Sequence, residues 1–486
     1  MRRRIVLAIV SVVSGAMALA QTPNPPVPAA LAPFVKVSAD TVILEHVRVI
    51  DGTGAPAKDD QFVYIIGGKI GYVGPEPKDD LTMGKVIHLD MTGKTVFPGL
   101  VGMHEHLFYP LPDGGRGLLP LYGEMADSAP RLYLAAGVTT ARTAGSLEPY
   151  TDISVKQAID AGEIPGPRLF LTGPYLEGSP SIGPQMHTLT GPADAARLVN
   201  YWAEEGMTSF KAYMHITPEE LKAAIDAAHA HGLKITGHLC AVGFQEAAAL
   251  GIDNLEHGLA VDTEFYPQKK EGVCPGQHPP QEALAKLDVE GPQIQGTIRD
   301  LIAHHVAVTS TLAIFESFVP NRPPMSEEMR VRSSLLPAAW SSYVTTRAEI
   351  AERNDPLWGR LLQMEMQFER DFVKQGGLLM FGCDPTGYGG VLPGFGDQRA
   401  LELLVEAGFT PEEAIHIATE NGALWLGEED HFGTIARGKD ADLVVVDGDP
   451  AKNIADVEKV DTVFKDGVGY DPQKLIESVR GLVGLR

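Results

Sequence analysis

The sequence predicts an α/β fold class: a (β/α)8 TIM barrel carrying a small composite β-sandwich built from both chain ends. Three observations predict it. Through the centre of the chain, short apolar runs alternate with amphipathic helical stretches, the pattern of parallel β/α units. Eight such runs are found, at 96–103, 138–142, 168–172, 207–213, 233–239, 253–257, 306–312 and 378–384, the number a closed barrel uses. Outside them, strand-and-glycine-turn material occurs twice. "TVILEHVRVIDGTG" and "QFVYIIGGKIGYVG" lie near the start, "GTIARGKDADLVVVDGDP" and "VDTVFKDG" near the end.

In chain order, residues 1–20 read as a secretory signal peptide: three arginines, an apolar stretch and the small-residue end "ALA". A Pro-rich linker follows over 21–40, then the first part of the β-sandwich over 41–95. The barrel is expected over 96–430, with helices such as "PADAARLVNYWAEEG" and "TPEELKAAIDAAHAHG" between its strands. Two connections are too long to be simple, 258–294 and 313–375. The latter leaves the seventh strand, has helical stretches of its own and holds Trp340 and Trp358, so it is expected to act as a lid. The second part of the sandwich is placed at 431–470 and a C-terminal tail at 471–486.

Bulk numbers narrow the function. The 44% hydrophobic content is ample for a large core, and the net charge is −23 with no basic run after residue 4. Nucleic acid is therefore excluded as a partner, since phosphate binding needs a Lys/Arg footprint. No segment beyond the signal reads as a membrane helix, so no stable membrane span is expected after cleavage and the location is periplasmic or secreted. Three cysteines, Cys240, Cys274 and Cys383, are too few for a disulfide scaffold, and the odd number leaves at least one unpaired within the chain. Cys383 is expected to pack behind its neighbour, Asp384. Without heptads or interface motifs the oligomeric state stays open, a homo-oligomer included.

The chemistry is sought at strand ends. "VFPGLVGMHEH" ends in His104 and His106, and "AAHAHG" repeats the spacing with His229 and His231. The first pair closes an apolar strand, where i and i+2 share a face and can converge on one ion. The second closes a helix with Thr217 as N-cap, where i and i+2 diverge by about 200°. Only the first is a metal candidate. The C-terminal ends of the other strands add Lys211 in "FKAY", His238 in "GHLC", His257 in "NLEHG" and Asp384 in "GCDPTG". Four imidazoles, a lysine and a carboxylate at one mouth suit a borderline divalent cation such as Zn²⁺.

With these stretches the chain resembles the metal-dependent amidohydrolase superfamily, in its prolidase-like and imidazolonepropionase-like branch. "AAGVTTART" and "EAGFTPEEAIHIATENGALWLG" also match, and the resemblance runs from about residue 41 to 470. It implies a binuclear centre of two divalent ions, Zn²⁺ foremost. His104, His106 and Asp384 would bind one ion, His238 and His257 the other, and an N6-carboxylated Lys211 would bridge them. Two ions sharing a water lower its pKa, so a bridging hydroxide attacks the carbonyl. Asp384 then acts as the base and returns the proton to the departing amine.

The expected substrate is a small amide, a dipeptide or N-acyl amino acid. Deaminase relatives have H-x-x-E at the fifth strand, whereas here the residue three after His238 is Ala241. His187 in "GPQMHTLTG" is expected to assist carbonyl polarisation. Tyr213 is expected to face the substrate, and Arg142 to bind a substrate carboxylate or form a structural salt bridge. The motif around His187 departs from the Gly-His-Gly of relatives, and Thr143 stands where they carry Asp. The same metal set would also serve a lactonase, cyclic-amide hydrolase or phosphotriesterase. A non-catalytic barrel protein is the remaining alternative.

Overall fold

The computed structural model describes residues 26–111, 121–276, 278–324 and 329–484. The signal-peptide expectation falls outside them. Eight parallel strands form two sheets. In chain order they are β1 (Leu100–Glu105), β2 (Val138–Thr143), β3 (Arg168–Phe170), β4 (Ser209–Ala212), β5 (Lys234–Gly237), β6 (Asn254–Glu256), β7 (Ala307–Ser310) and β8 (Leu379–Phe381). The first three pair in the order β3-β2-β1 and the other five in sequence order. Hydrogen bonds cross both seams between the sheets. Gly173 donates to the Ser209 carbonyl at 2.9 Å and Asp384 to that of His104 at 3.1 Å. With helices on the outer side, this is a TIM-barrel-type α/β fold, and strands such as β1, β2 and β7 run as continuously buried rows because both faces are covered.

A second domain is one nine-stranded sheet to which both chain ends contribute. Leu443–Asp447 pairs antiparallel with Lys94–Pro98, which itself pairs with Thr41–Val49. Alternating residues on one face, Val42, Leu44, Val63, Ile65, Leu443 and Val445, form its core.

Four sequence expectations need correction. The apolar run 96–103 is two strands: Lys94–Pro98 belongs to the terminal sheet and β1 starts at Leu100. Gly99 makes the transition, because a Cβ there would lie 2.0 Å from Thr139 Oγ1. The Pro-rich linker ends before residue 40, since Val35–Val37 is a strand paired with Val468–Tyr470. The C-terminal tail is anchored: Asp471 caps a helix, Pro472–Ser478, by accepting from the Gln473 and Lys474 amides, and Leu475 is fully buried. Finally, the 313–375 stretch is no simple lid. Its last helix, Leu357–Lys374, buries Leu361, Met364, Phe368 and Phe372 against the barrel, an apolar stripe at helical spacing that makes it an ordinary crossover helix.

Candidate metal centre

Each ligand candidate is set by the local backbone. His104 is the penultimate residue of β1 and His106 follows its end. Tyr133 fixes the latter's backbone from both sides, its hydroxyl donating to the His106 carbonyl at 2.9 Å and accepting from the His106 amide at 3.1 Å. Lys211 lies on β4, and His238 and His257 directly follow β5 and β6. Asp384 lies three residues beyond the end of β8. His257 and Asp384 have φ of +70° and +51°, a left-handed backbone that costs a non-glycine residue about 1–3 kcal/mol and clusters at functional sites.

The six side chains meet. Asp384 Oδ1 lies 3.4 Å from His106 Nε2 and 3.6 Å from His104 Nε2, and its Oδ2 lies 3.7 Å from His257 Nδ1. Lys211 Nζ is 3.4 Å from His104 Nε2. The His238 and His257 rings are 4.5 Å apart, as are those of His104 and His257. Five of them are buried, His238 is half-buried, and all six line one cavity of about 510 Å³.

The donors fit a divalent cation. Burial pushes the His106 imidazole down to about 4 and that of His238 to about 3, and lowers those of His104 and His257. At neutral pH these rings therefore present lone pairs rather than charge. Burial likewise pulls the Lys211 amine down to about 8. Against the burial penalty, His104 and its neighbouring imidazoles hold the Asp384 carboxyl well below the usual range. The ligand atoms of His104, His106 and Asp384 all lie within 4.8 Å of one another, close enough for one ion. The buried His106 Nδ1 has no hydrogen-bond partner.

Behind the ligands stands a residue that the sequence reading missed, Glu256. Its Oε2 accepts from His104 Nδ1 at 2.7 Å, which aims Nε2 at the site. Its Oε1 pairs with Arg142 at 2.7 Å and accepts from Thr236 at 2.6 Å. Burial alone would raise this carboxyl, but Arg142, His104 and Lys211 hold it well below the usual range. The available signal was strand alternation: Asn254 and Glu256 share the inward face of β6.

Two expectations are corrected here. Arg142 does not line the cavity. It is wholly buried beneath the site, between Glu256 and the face of Trp425, 5.1 Å away, so its role is the structural salt bridge. His187 is 46% exposed and bonds Asp194 Oδ2 at 2.8 Å, where the carboxylate in the first turn of the helix Pro192–Glu204 draws it away from the cavity. Tyr213 does line the cavity, 5.2 Å from the His238 ring and 4.7 Å from Tyr175. Glu105 points away from the ligands, as alternation requires, toward Cys383 and Asp397. Cys383 Sγ donates to Glu105 Oε2 at 3.1 Å, and burial with the Asp397 carboxyl alongside pushes Glu105 well up. Cys383 is the free cysteine, while Cys240 and Cys274 form a disulfide.

The model of the amidohydrolase family matches residues 95–468, three-quarters of the chain. The chain belongs to the amidohydrolase family. As such it hydrolyses carbon–nitrogen amide bonds, a chemistry for which the family uses divalent metal. No curated protein matches it. Among solved structures it is similar to a Xaa-Pro dipeptidase with methionine bound in its active site, at 21% identity and a TM-score of 0.65 over 89% of this chain and all of that one. It is also similar to a prolidase candidate from Bifidobacterium longum (23%, TM-score 0.65, 90% and 99% covered) and to a bottromycin amidohydrolase (19%, TM-score 0.65, 94% of each). At these identities the likeness concerns the fold of this amidohydrolase.

Proposed function

We propose that this amidohydrolase is an exported, binuclear enzyme that cleaves the amide bond of a small substrate, a dipeptide or an N-acyl amino acid. One observation carries the reading: six side chains from five strand ends converge on one cavity, four of them as neutral imidazoles. The eight strands then close into a (β/α)8 barrel whose C-terminal mouth holds the site, supported by the hydrogen bonds at both seams.

His104, His106 and Asp384 would hold one ion, and His238 and His257 would hold the second. Lys211 lies between the two groups. Burial lowers its amine to about 8, so a fraction is neutral near physiological pH, and a neutral amine can take up CO₂ with loss of a proton; the resulting carbamate would offer two oxygens to the ions. Zn²⁺ suits this mixed nitrogen and oxygen donor set. When bound, such ions acidify a shared water and polarise the scissile carbonyl. The chain supplies the rest. Asp384, ionised and in contact with both histidine groups, accepts the proton of the attacking water and passes it to the departing amine. Tyr213 and Tyr175 orient the substrate from the β3–β4 side.

The Cys240–Cys274 disulfide supports export, since such bonds persist in oxidising compartments. Among the described residues no helix is long and apolar enough to cross a membrane.

The test is amine release from a dipeptide and N-acyl-amino-acid library by the mature protein, with and without a chelator. Turnover is expected to vanish on chelation and return with Zn²⁺. Turnover that ignores the chelator, or esters and lactones cleaved while every amide is refused, would overturn the reading.

A further inference from the structure

The cavity is roomy and two-sided: the polar metal set lies on one side and an apolar wall on another. A volume of about 510 Å³ falls in the range of sites for drug-sized ligands. The wall beside His257 is a continuous aromatic surface contributed by the 313–375 stretch. Phe315 stands 6.0 Å from the His257 ring. Trp358 stacks on Phe315 at 6.0 Å and 20° and lies tilted against Phe318 at 4.8 Å, and Tyr388, from beyond β8, meets Phe318 at 6.1 Å. Phe315 is buried, but Trp358 and Phe318 are only half-buried and face the cavity.

Apolar surface left toward water at the lip of a pocket is what a ligand group recovers on binding. Charge offers little competition there. Of the described lining residues, the cations other than histidine are Lys211, within the metal set, and Arg353, exposed at the rim two residues from Asp355. The exposed Asp355 lines the same rim, so the two leave little net charge of either sign there.

We infer that the half of the substrate directed to the β6–β7 side carries an aromatic or comparably bulky apolar group, held against Phe315, Phe318 and Trp358. The inference rests on the amide-hydrolase reading and names the substrate class of the same site. Trp358 is then a specificity-determining residue. It sits at the start of the crossover helix Leu357–Lys374, whose buried stripe holds it rigidly in place, so the aromatic face is preformed and little ordering cost opposes binding.

The experiment uses the metal-loaded full chain and two substrate ladders. In one, the acyl group of an N-acyl-glycine grows from acetyl through isovaleryl to 2-naphthylacetyl. In the other, the amino acid of an N-acetyl-amino acid grows from alanine through leucine to tryptophan. In at least one ladder kcat/KM is expected to rise about ten-fold or more from the smallest to the largest member. Trp358→Ala should flatten that rise, and Trp358→Phe should restore most of it. A flat ladder on both sides in an enzyme that turns over the small members would overturn the inference, as would a rise that Trp358→Ala leaves intact.

Calorimetric titration with 2-naphthylacetamide separates this from the reaction itself. Saturable binding weakened about ten-fold by Trp358→Ala supports the aromatic subsite even if no amide is hydrolysed, in which case the hydrolase reading alone fails. Absence of binding to a protein that does hydrolyse amides sinks the subsite and spares the reaction.

Discussion

Two His-x-His pairs in this chain have the same spacing and opposite fates. His104 and His106 end a barrel strand with rings 5.3 Å apart, and both face Asp384. His229 and His231 end the helix Pro218–Ala230, and their ring nitrogens part company, one to Asp253 at 3.0 Å and the other to Asn200 at 2.8 Å. A strand returns i and i+2 to one face, whereas a helix turns them about 200° apart. Spacing carries no chemistry until the element that bears it is known. The comparison breaks most sharply by substitution. His104→Ala or His106→Ala is expected to reduce amide turnover by about 10³-fold or more and to lower bound metal, measured by elemental analysis of the purified protein. His229→Ala should leave metal content unchanged. Equal metal loss from both pairs would remove the distinction.

The same contrast marks what the sequence could disclose. All six ligand candidates are legible in the sequence because each lies at or just past the C-terminal end of an apolar run, from one residue inside β1 to three beyond β8. The helical pair was legible too: Thr217 accepts from the Glu220 amide, and the Glu220 side chain returns to the Thr217 amide, the capping box expected from "TPEE". What failed was side-chain direction within loops and partner choice in the interior. His187 has the right place in the chain, but a hydrogen bond to Asp194 seven residues on holds it outside. For Arg142 the sequence leaves a substrate carboxylate and a structural salt bridge both open, because its counter-ion Glu256 is 114 residues away. The boundary at Gly99 was hidden because both strands that it joins are apolar and buried.

Glu256 sharpens the comparison from behind the site. Both histidine pairs have a carboxylate partner, Glu256 on His104 Nδ1 and Asp253 on His229 Nε2, but only the first orients a ligand. Glu256→Gln is expected to weaken metal affinity by about 10–100-fold, the usual cost of losing such a support. It also leaves the buried Arg142 without a counter-charge, so the thermal midpoint should fall with it. Asp253→Asn, at a side chain that meets His229 and the Ile235 amide, should leave metal affinity where it was. If Glu256→Gln bound metal as tightly as the parent protein, His104 would owe its aim to packing alone.

The smallest expected effects come from the glycines that follow each motif. Gly232 closes the helical pair at φ +70°, and a methyl group there would meet nothing within 4 Å. Gly258 follows His257 at φ +61°, and a Cβ there would lie 1.9 Å from Glu365 Oε1. That carboxylate, carried by the crossover helix, accepts the Ala260 amide at 2.7 Å through its other oxygen and so holds the turn that presents His257. Gly232→Ala is expected to cost about 1 kcal/mol, the left-handed backbone penalty and nothing more. Gly258→Ala carries the same penalty and in addition forces Glu365 from the turn, so a larger fall in thermal midpoint should come with a several-fold loss of metal affinity. Paired melting curves and metal titrations of the two variants decide the matter. Equal destabilisation with metal binding untouched in both would mean that the turn after His257 is held no more firmly than the end of a surface helix.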